Sequence, residues 1–217
     1  MSVFKVYLLR HGELVQTGVL CGHTDLALSD KGEQQLINAT KDLADISHCV
    51  SSPLTRCRTF AEQYCAQKGL SLQISAELQE MSFGDWDGKS YQALWQPKPQ
   101  SERYLADKTP TIGDFWQNPW QCSPPNGETM TSFTQRVDKF WHNFLAQFEQ
   151  AHQQQTHQAN ALVVSHGGVI RYILAKVLGL PLPGVNHMSN LDVPYGALIH
   201  LQVSIDDRGK AWVKLML

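Results

Sequence analysis

Short apolar runs alternate with amphipathic stretches along the chain, and this alternation predicts an α/β fold. Two apolar runs, at 3–9 and 161–165, predict buried strands, a short strand is predicted at 48–51, and the alternation at 72–74 is typical of an edge strand. Apolar residues at helical spacing predict helices, at about 30–44, 53–68, 130–150 and 168–178. Near the end of the chain, two alternating segments around Asp206-Asp207-Arg208-Gly209 predict a hairpin of 197–203 and 211–217.

One stretch, residues 89–127, breaks this pattern. It holds six of the ten prolines together with Trp95, Trp116 and Trp120, and it lacks strand periodicity. Long connections of this kind are uncommon and are often functional. We predict an inserted cap of short helices and loops within a single domain spanning 1–217. Its tryptophans either face a ligand or bury the insertion against the sheet.

The composition is that of an ordinary globular protein and narrows the function. Hydrophobic residues make up 42% of the 217 residues, and the net charge of -2 predicts neither a nucleic-acid nor a membrane partner. No apolar run approaches the roughly 18 residues of a membrane span, and the N-terminus lacks a signal-peptide pattern. Five cysteines without C-x-x-C spacing predict reduced thiols in a cytoplasmic protein: Cys21, Cys49, Cys57, Cys65 and Cys122.

Two of the predicted strands end in the same way, with a histidine followed by a glycine. Arg10-His11-Gly12 follows the first strand, and Ser165-His166-Gly167-Gly168 follows the strand at 161–165. In open α/β sheets, the carboxyl ends of the strands form the crevice in which ligands bind. Either histidine alone could simply bond a backbone carbonyl, but two such units predict one shared site. Arg10 adds a planar fork of donors suited to phosphate.

A third segment, 51–59, places Arg56 and Arg58 in the first turns of a predicted helix. Cations are unfavourable there because the helix dipole attracts anions to its N-terminus. A bound anion would remove the conflict, which favours a phosphate site over a solvated face. Helical spacing puts the two arginines on different sides, so we expect only one of them to face the pocket.

A fourth segment, 77–88, is acidic and contains Phe83 and Trp86. Acidic residues in a turn are usually solvated, but an apolar wall would favour the protonated form of one carboxyl group and suit it to general acid catalysis. Together the four segments provide two arginines, two histidines and one carboxyl group, the set that phosphoryl transfer without a metal requires. Neither a metal-ligand pattern nor a Gly-rich nucleotide loop is present, so we predict no metal and no cofactor.

Five ordered motifs carry a family resemblance. They are L-L-R-H-G-E, S-S-P-L-T-R-C-R-T, L-Q-E-M-S-F-G-D-W-D-G, N-G-E-T and S-H-G-G-V-I-R, and the resemblance extends from residue 6 to about residue 200. With these motifs the chain resembles the histidine phosphatase superfamily, in its phosphoglycerate mutase-like branch. The resemblance implies a three-layer α/β/α sandwich with a mostly parallel central sheet, and a phosphohistidine intermediate.

The resemblance also implies roles for residues that match the family motifs. His11 resembles the nucleophile, and Glu80 resembles the proton donor to the leaving group and the later base for water. Arg10, Arg56 and His166 resemble the clamp on the phosphoryl oxygens. Neighbouring arginines disfavour an imidazolium ion, so they should keep His11 neutral and nucleophilic.

Further residues are expected on the substrate side of this site. They are Thr17, Cys21, Gly22, His23 and Gly167, beside Arg10, Arg56 and His166. Many family members read R-H-G-E-T with an asparagine further along the loop. This chain has Leu14 and Thr17 near those two positions, and Leu14 cannot donate a hydrogen bond to a phosphate oxygen.

The expected partner is a small-molecule phosphomonoester, and the sequence does not predict the oligomeric state. The cap is aromatic and weakly basic, which suits a ring or sugar better than a bisphosphorylated triose. Segments 20–25 and 192–196 are similar to those of the alpha-ribazole phosphatase group of this family, whose substrate is alpha-ribazole 5'-phosphate. The alternatives are a broad-specificity sugar phosphatase, a phosphoglycerate mutase, or a non-catalytic module that binds phosphorylated ligands.

Overall fold

The computed structural model describes residues 2–95, 110–154, 160–184 and 186–217. Its strands are β1 (Ser2–Arg10), β2 (Ile46–Ser51), β3 (Leu72–Ile74), β4 (Asn160–Ser165), β5 (Leu198–Ile205) and β6 (Ala211–Met216). Its α-helices are α1 (Asp30–Thr40), α2 (Thr55–Lys68), α3 (Tyr91–Leu94), α4 (Ile112–Gln117), α5 (Met130–Gln153), α6 (Gly167–Val177) and α7 (His187–Asn190). Short 3-10 helices occupy Ala76–Leu78 and Gly84–Trp86.

Six strands of the described chain form one sheet in the order β3-β2-β4-β1-β5-β6. The first four in this order are parallel, whereas β5 and β6 are antiparallel to their neighbours. This confirms the predicted mostly parallel sheet and the terminal hairpin. In the register of β1 and β4, Arg10 lies opposite Ser165. The two histidines that follow therefore leave the same edge of the sheet side by side.

Alternate side chains of the central strands enter separate cores on the two faces of the sheet. Leu8 and Val163 pack in the core that α5 and α6 cover. Leu9 and Leu162 pack in the core that includes side chains of α1 and α2. These two cores give the predicted three-layer arrangement.

The first two predicted helices begin or end at other residues than expected. Helix α1 ends at Thr40 instead of 44. Its N-terminus is capped by Ser29, whose side chain accepts a hydrogen bond from the Gly32 N–H. Helix α2 begins at Thr55 and not at Pro53, because Leu54 is still extended. Gly69 ends α2 with a φ of 66°, a conformation that glycine adopts without strain.

The described part of the predicted cap contains α3 and α4, and residues 96–109 lie outside the described residues. Phe115 of α4 is fully buried, and Trp116 and Trp120 pack against the same core. Trp95, in contrast, is 57% exposed. All five cysteines are free thiols, as predicted. None of the described helices combines the length and the apolar character needed to cross a bilayer.

Candidate active site

The parallel register brings His11 and His166 together at the carboxyl ends of β1 and β4. Their ring centroids are 5.2 Å apart, and both side chains are buried. The backbone N–H of His11 donates to Ser165 O at 2.9 Å, which continues the ladder to the first residue beyond the strand. The two histidines that we predicted to share a site therefore lie together at this edge of the sheet.

His11 is held so that one ring nitrogen stays available. Its Nδ1 lies 2.8 Å from Gly12 O, so Nδ1 carries the proton and Nε2 has the lone pair. Burial, followed by the charges of Arg56 and Arg10, holds the pKa of His11 well below its ordinary value. The ring is thus a neutral imidazole with a nucleophilic nitrogen. Gly12 must be a glycine, because a Cβ atom there would lie 2.1 Å from Gly32 O.

His166 is held at both ring nitrogens. Arg56 Nε donates to its Nδ1 at 3.2 Å, so its Nε2 carries the proton and bonds Ser52 Oγ at 2.8 Å. Burial, then Arg56 and His11, lowers the pKa of His166 well below its ordinary value. His166 is therefore a fully buried, neutral donor beside His11.

Arg56 is completely buried near the start of α2, where a cation opposes the helix dipole. Its Nη1 donates to Thr24 O at 2.9 Å and its Nη2 to Gly22 O at 2.5 Å, in addition to the bond to His166. Arg58 instead pairs with Glu62 on the surface at 2.7 Å. Only Arg56 faces the site, as the helical spacing predicts.

The loop that holds Arg56 is itself held by one carboxylate, Asp87. Its oxygens accept hydrogen bonds from the backbone N–H groups of Gly22, His23, Thr24 and Phe83, and from Thr24 Oγ1. Burial raises the pKa of Asp87, but these bonds outweigh it and lower the pKa below its ordinary value. The sequence did not predict that Asp87 would hold this loop. Its place in the F-G-D-W-D-G motif was the one feature that set it apart from a solvated acidic residue.

Two of the residues expected on the substrate side, Cys21 and His23, make hydrogen bonds to other parts of the protein backbone. Cys21 Sγ donates to Thr24 O at 3.2 Å, and His23 Nε2 lies 2.9 Å from Glu80 O. Thr17, which precedes these residues in the same loop, is exposed. Leu14 is 3% exposed and bridges to Leu28, so it fills the protein interior.

Arg10, the last residue of β1, is held by the segment before β5. Its Nη1 donates to Val193 O at 2.5 Å, and its guanidinium carbon lies 4.2 Å from the centroid of the Tyr195 ring. The Tyr195 ring is 5.5 Å from that of His11 and is 40% exposed. Nε of Arg10 is buried without a hydrogen-bond partner among the described residues. Tyr195 belongs to segment 192–196, and no sequence pattern predicted that it would lie at the site.

Glu80 is buried at the N-terminus of α6, next to the unit that contains His166. Its Oε2 accepts from the Gly168 N–H at 2.9 Å and its Oε1 from the Met81 N–H at 3.0 Å. A Cβ atom at Gly168 would lie 2.4 Å from Oε1, so glycine is needed for this approach. The predicted aromatic neighbours of Glu80, Phe83 and Trp86, make ring contacts with Phe115 of the cap.

Arg136 of α5 fixes the backbone of the segment that carries Glu80. Its Nη1 donates to Glu77 O and Gln79 O, and its Nη2 donates to Glu80 O. Its other contacts form a two-point pair with the Glu128 carboxylate, at 2.7 and 2.8 Å. Glu128 is the glutamate of the N-G-E-T motif, and its bonds to Arg136 give this motif a structural role. Nothing in the sequence indicated Arg136 as its partner.

The arrangement has the features of a phosphoryl site. Two guanidinium groups can neutralise phosphoryl oxygens, one imidazole has a free lone pair, and one carboxyl group is buried at the N-terminus of α6. Within the described residues, no group of three or more His, Cys, Asp or Glu side chains is placed to hold a metal ion. The fold and the site together define a phosphate-handling α/β enzyme of the type with paired histidines.

The chain belongs to the histidine phosphatase superfamily (branch 1), which matches residues 6–215. It is 33% identical to the adenosylcobalamin/alpha-ribazole phosphatase of Escherichia coli (strain K12) over 193 residues, covering 84% of this chain and 83% of the relative. It is 31% identical to the probable phosphoglycerate mutase GpmB of Erwinia tasmaniensis, covering 49% of this chain and 52% of the relative.

Solved structures show the same fold. A putative alpha-ribazole-5'-P phosphatase from Escherichia coli K-12 is similar with a TM-score of 0.73 and 28% identity, covering 100% of this chain and 96% of that one. A mycobacterial glucosyl-3-phosphoglycerate phosphatase matches with a TM-score of 0.77 and 20% identity, covering 100% and 98%. These findings confirm the predicted resemblance, and family membership supports phosphatase activity on a small phosphorylated molecule.

Proposed function

We propose that this chain is a metal-independent phosphomonoesterase that acts through a phosphohistidine at His11. The observation that carries the proposal is the hydrogen bond between His11 Nδ1 and Gly12 O, at 2.8 Å, in a ring kept neutral by burial and two arginines. This bond fixes the tautomer and aims Nε2 at the space between Arg10, Arg56 and His166. A neutral imidazole needs no separate base before it attacks phosphorus.

In the first step, His11 Nε2 attacks phosphorus in line, and the bond from phosphorus to the ester oxygen breaks. The proton of Glu80 passes to that oxygen, so the alcohol leaves neutral. In the second step, Glu80 takes a proton from water, the oxygen of this water bonds to phosphorus, and the bond from phosphorus to His11 breaks. Inorganic phosphate then leaves, and both side chains return to their first state.

The charge on the transferred group is balanced by donors that the scaffold holds rigidly. Arg56 has three bonds to protein groups, and Arg10 keeps its Nε available. His166 shares its Nε2 proton between Ser52 and a phosphoryl oxygen. Donors fixed before the reaction cost no reorganisation when negative charge builds up in the transition state.

For the substrate, we propose alpha-ribazole 5'-phosphate, in agreement with the names of two curated relatives. The mouth of the site supports an alcohol that carries a ring. Tyr195 is 40% exposed beside His11, and Tyr91 of α3 is 39% exposed. Burial raises the pKa of Tyr91, and Tyr195, Arg10 and Glu80 are among the charges that influence it, which supports a position near the same opening. Aromatic faces stack on planar rings and on sugars.

The test is a panel of phosphomonoesters ranked by kcat/KM, in the presence of EDTA. The panel contains alpha-ribazole 5'-phosphate, ribose 5-phosphate, a nucleoside 5'-monophosphate and 3-phosphoglycerate. We expect alpha-ribazole 5'-phosphate to rank first, and Tyr195→Ala to reduce its advantage over ribose 5-phosphate. A flat ranking would remove the substrate assignment, and loss of all activity in EDTA would overturn metal independence.

A phosphoglycerate mutase is the second candidate, because similarity to the GpmB proteins covers about half of the chain. Such an activity would appear in the same panel as conversion of 3-phosphoglycerate without release of phosphate. It would depend on a bisphosphorylated primer, which a phosphatase does not need.

A further inference from the structure

Arg171 of α6 lies beside the phosphoryl site and has no role in the mechanism above. It follows Gly167 by four residues, so both lie on one face of the helix, and helical side chains lean toward the N-terminus. A Cβ atom at Gly167 would lie 3.2 Å from Nη1 of Arg171 and 3.2 Å from Nε of Arg10. Arg10 Nε and Arg171 Nη1 are therefore separated by at most twice 3.2 Å. Because Gly167 has no side chain, the space between these two nitrogens is open.

This placement of two cations is unfavourable by itself. Arg171 adds a positive charge near the N-terminus of α6, where the helix dipole is already positive. Burial is the largest cause that lowers the pKa of Arg10, and the charge of Arg171 lowers it further against the opposing effects of Tyr195 and Glu80. An anion between the two guanidinium groups would convert this repulsion into attraction.

Both arginines also have donors to spare. Arg171 Nε donates to Leu191 O at 2.6 Å, and Arg10 Nη1 donates to Val193 O. One short segment thus holds both guanidinium groups in a fixed relation. The buried Nε of Arg10 has no partner among the described residues, and it lies on the side of Gly167 that Arg171 also faces.

We infer that Arg171 is a substrate-binding residue, which donates with Arg10 to one oxygen of the phosphoryl group above Gly167. The inference rests on the proposed function, since it takes the same pocket as the phosphoryl site. It adds a third arginine to the clamp, next to Arg10. Its consequence is a stronger preference for the doubly charged phosphate over singly charged oxyanions.

The test is equilibrium binding of inorganic phosphate to the full chain, measured calorimetrically at low and high salt. Arg171→Met should raise the phosphate Kd about tenfold or more, the usual effect of removing a charge-assisted bond. Arg171→Lys keeps the positive charge but loses the planar fork and the bond to Leu191 O, so its phosphate Kd should lie between those of the unchanged protein and Arg171→Met. The weakening of binding by salt should be shallower in Arg171→Met, because one charge fewer is screened.

Arg58→Met is the matched control, since Arg58 pairs with Glu62 on the surface and should leave phosphate binding unchanged. A role confined to holding the segment at Leu191 would make Met and Lys equally damaging with an unchanged salt dependence, and that result would overturn the inference. Unchanged affinity in Arg171→Met would also overturn it.

The outcome is separable from that of the proposed function, because phosphate binding requires no turnover. Binding that depends on Arg171 without hydrolysis of any ester would support the inference and contradict the phosphatase proposal. Hydrolysis of an ester together with phosphate binding that does not depend on Arg171 would support the phosphatase proposal and contradict the inference. A protein that binds no phosphate at all would contradict both.

Discussion

The two strand–histidine–glycine units occupy equivalent places on neighbouring strands, yet they hold their histidines differently. His11 forms a hydrogen bond through Nδ1, to Gly12 O, and no described residue bonds its Nε2. His166 has both nitrogens engaged, by Arg56 and Ser52. Both units contain a His-Gly pair at a strand end, so the partners from distant segments determine which ring nitrogen stays free. In the proposed mechanism, one unit supplies the nucleophile and the other a fixed donor.

Each histidine also has its own arginine, held by a different segment. Arg10 beside His11 is held from the segment before β5, through Val193 O. Arg56 beside His166 is held by the carbonyls of Gly22 and Thr24. Damage to one half should therefore have a different signature from damage to the other.

The largest expected effect is at the nucleophile. His11→Asn should lower kcat by about 10⁴-fold or more, since it removes the nitrogen that attacks phosphorus in the proposed mechanism. Circular dichroism should show an unchanged fold. His142→Asn, on the exposed side of α5, is the matched control and should keep full activity. Substantial turnover by His11→Asn would contradict the comparison.

The second effect concerns the fixed histidine. His166→Gln should lower kcat by about 10²- to 10³-fold, the range for loss of one donor to a developing oxyanion. The variant should still form a phosphoenzyme at His11, detectable by rapid quench. Ser52→Ala should lower kcat only about fivefold, because it removes a bond worth about 1 kcal/mol and leaves the imidazole in place. A His166 variant as inactive as His11→Asn would argue that the two units do not differ.

A third effect tests the support of Arg56. Asp87→Ala removes the acceptor of five hydrogen bonds and should lower the free energy of unfolding by about 2–4 kcal/mol, measured in urea. Turnover should fall as well, because Arg56 loses the loop that holds it. Asp85→Ala, in the same motif, is the control, since Asp85 bonds only the Asn126 amide on the surface. Equal losses from the two variants would contradict the role given to Asp87.

The smallest effect is a pH dependence of stability. The folded pKa of both His11 and His166 is lowered, so the unfolded chain binds more protons at acid pH. The free energy of unfolding should therefore be constant above the ordinary histidine pKa of about 6.5 and fall below it, by up to about 1.4 kcal/mol per pH unit for each ring. Urea unfolding between pH 7.5 and 5 measures this slope. His166→Gln should make it shallower, and an unchanged slope would show that His166 is not held neutral.

Local sequence signals predicted the central residues of the site, and distant contacts escaped them. His11 and His166 follow from strand ends with glycine, and Arg56 from a cation placed against a helix dipole. Asp87 binds backbone groups up to 65 positions away, and Arg136 reaches carbonyls up to 59 positions away. No periodicity encodes such pairings, because they depend on how the loops fold over the sheet.

The fold shows the same division. Periodicity predicted the strands and the long helix α5, whose buried face includes Phe133, Phe140 and Phe144. The end of α1 was misjudged because apolar spacing continued beyond Thr40 after the helical backbone had stopped. The proposed roles of Thr17 and Gly167 toward a substrate stay predictions.

The most direct test of the account is to locate the phosphoryl group on the trapped enzyme. The protein would be quenched in alkali during turnover of a phosphomonoester, digested, and sequenced by mass spectrometry under conditions that preserve phosphohistidine. We predict phosphate on His11, at Nε2, with His166 unmodified in the same samples. Phosphate on His166, or rapid turnover with no phosphohistidine at either position, would contradict the assignment of the two histidines.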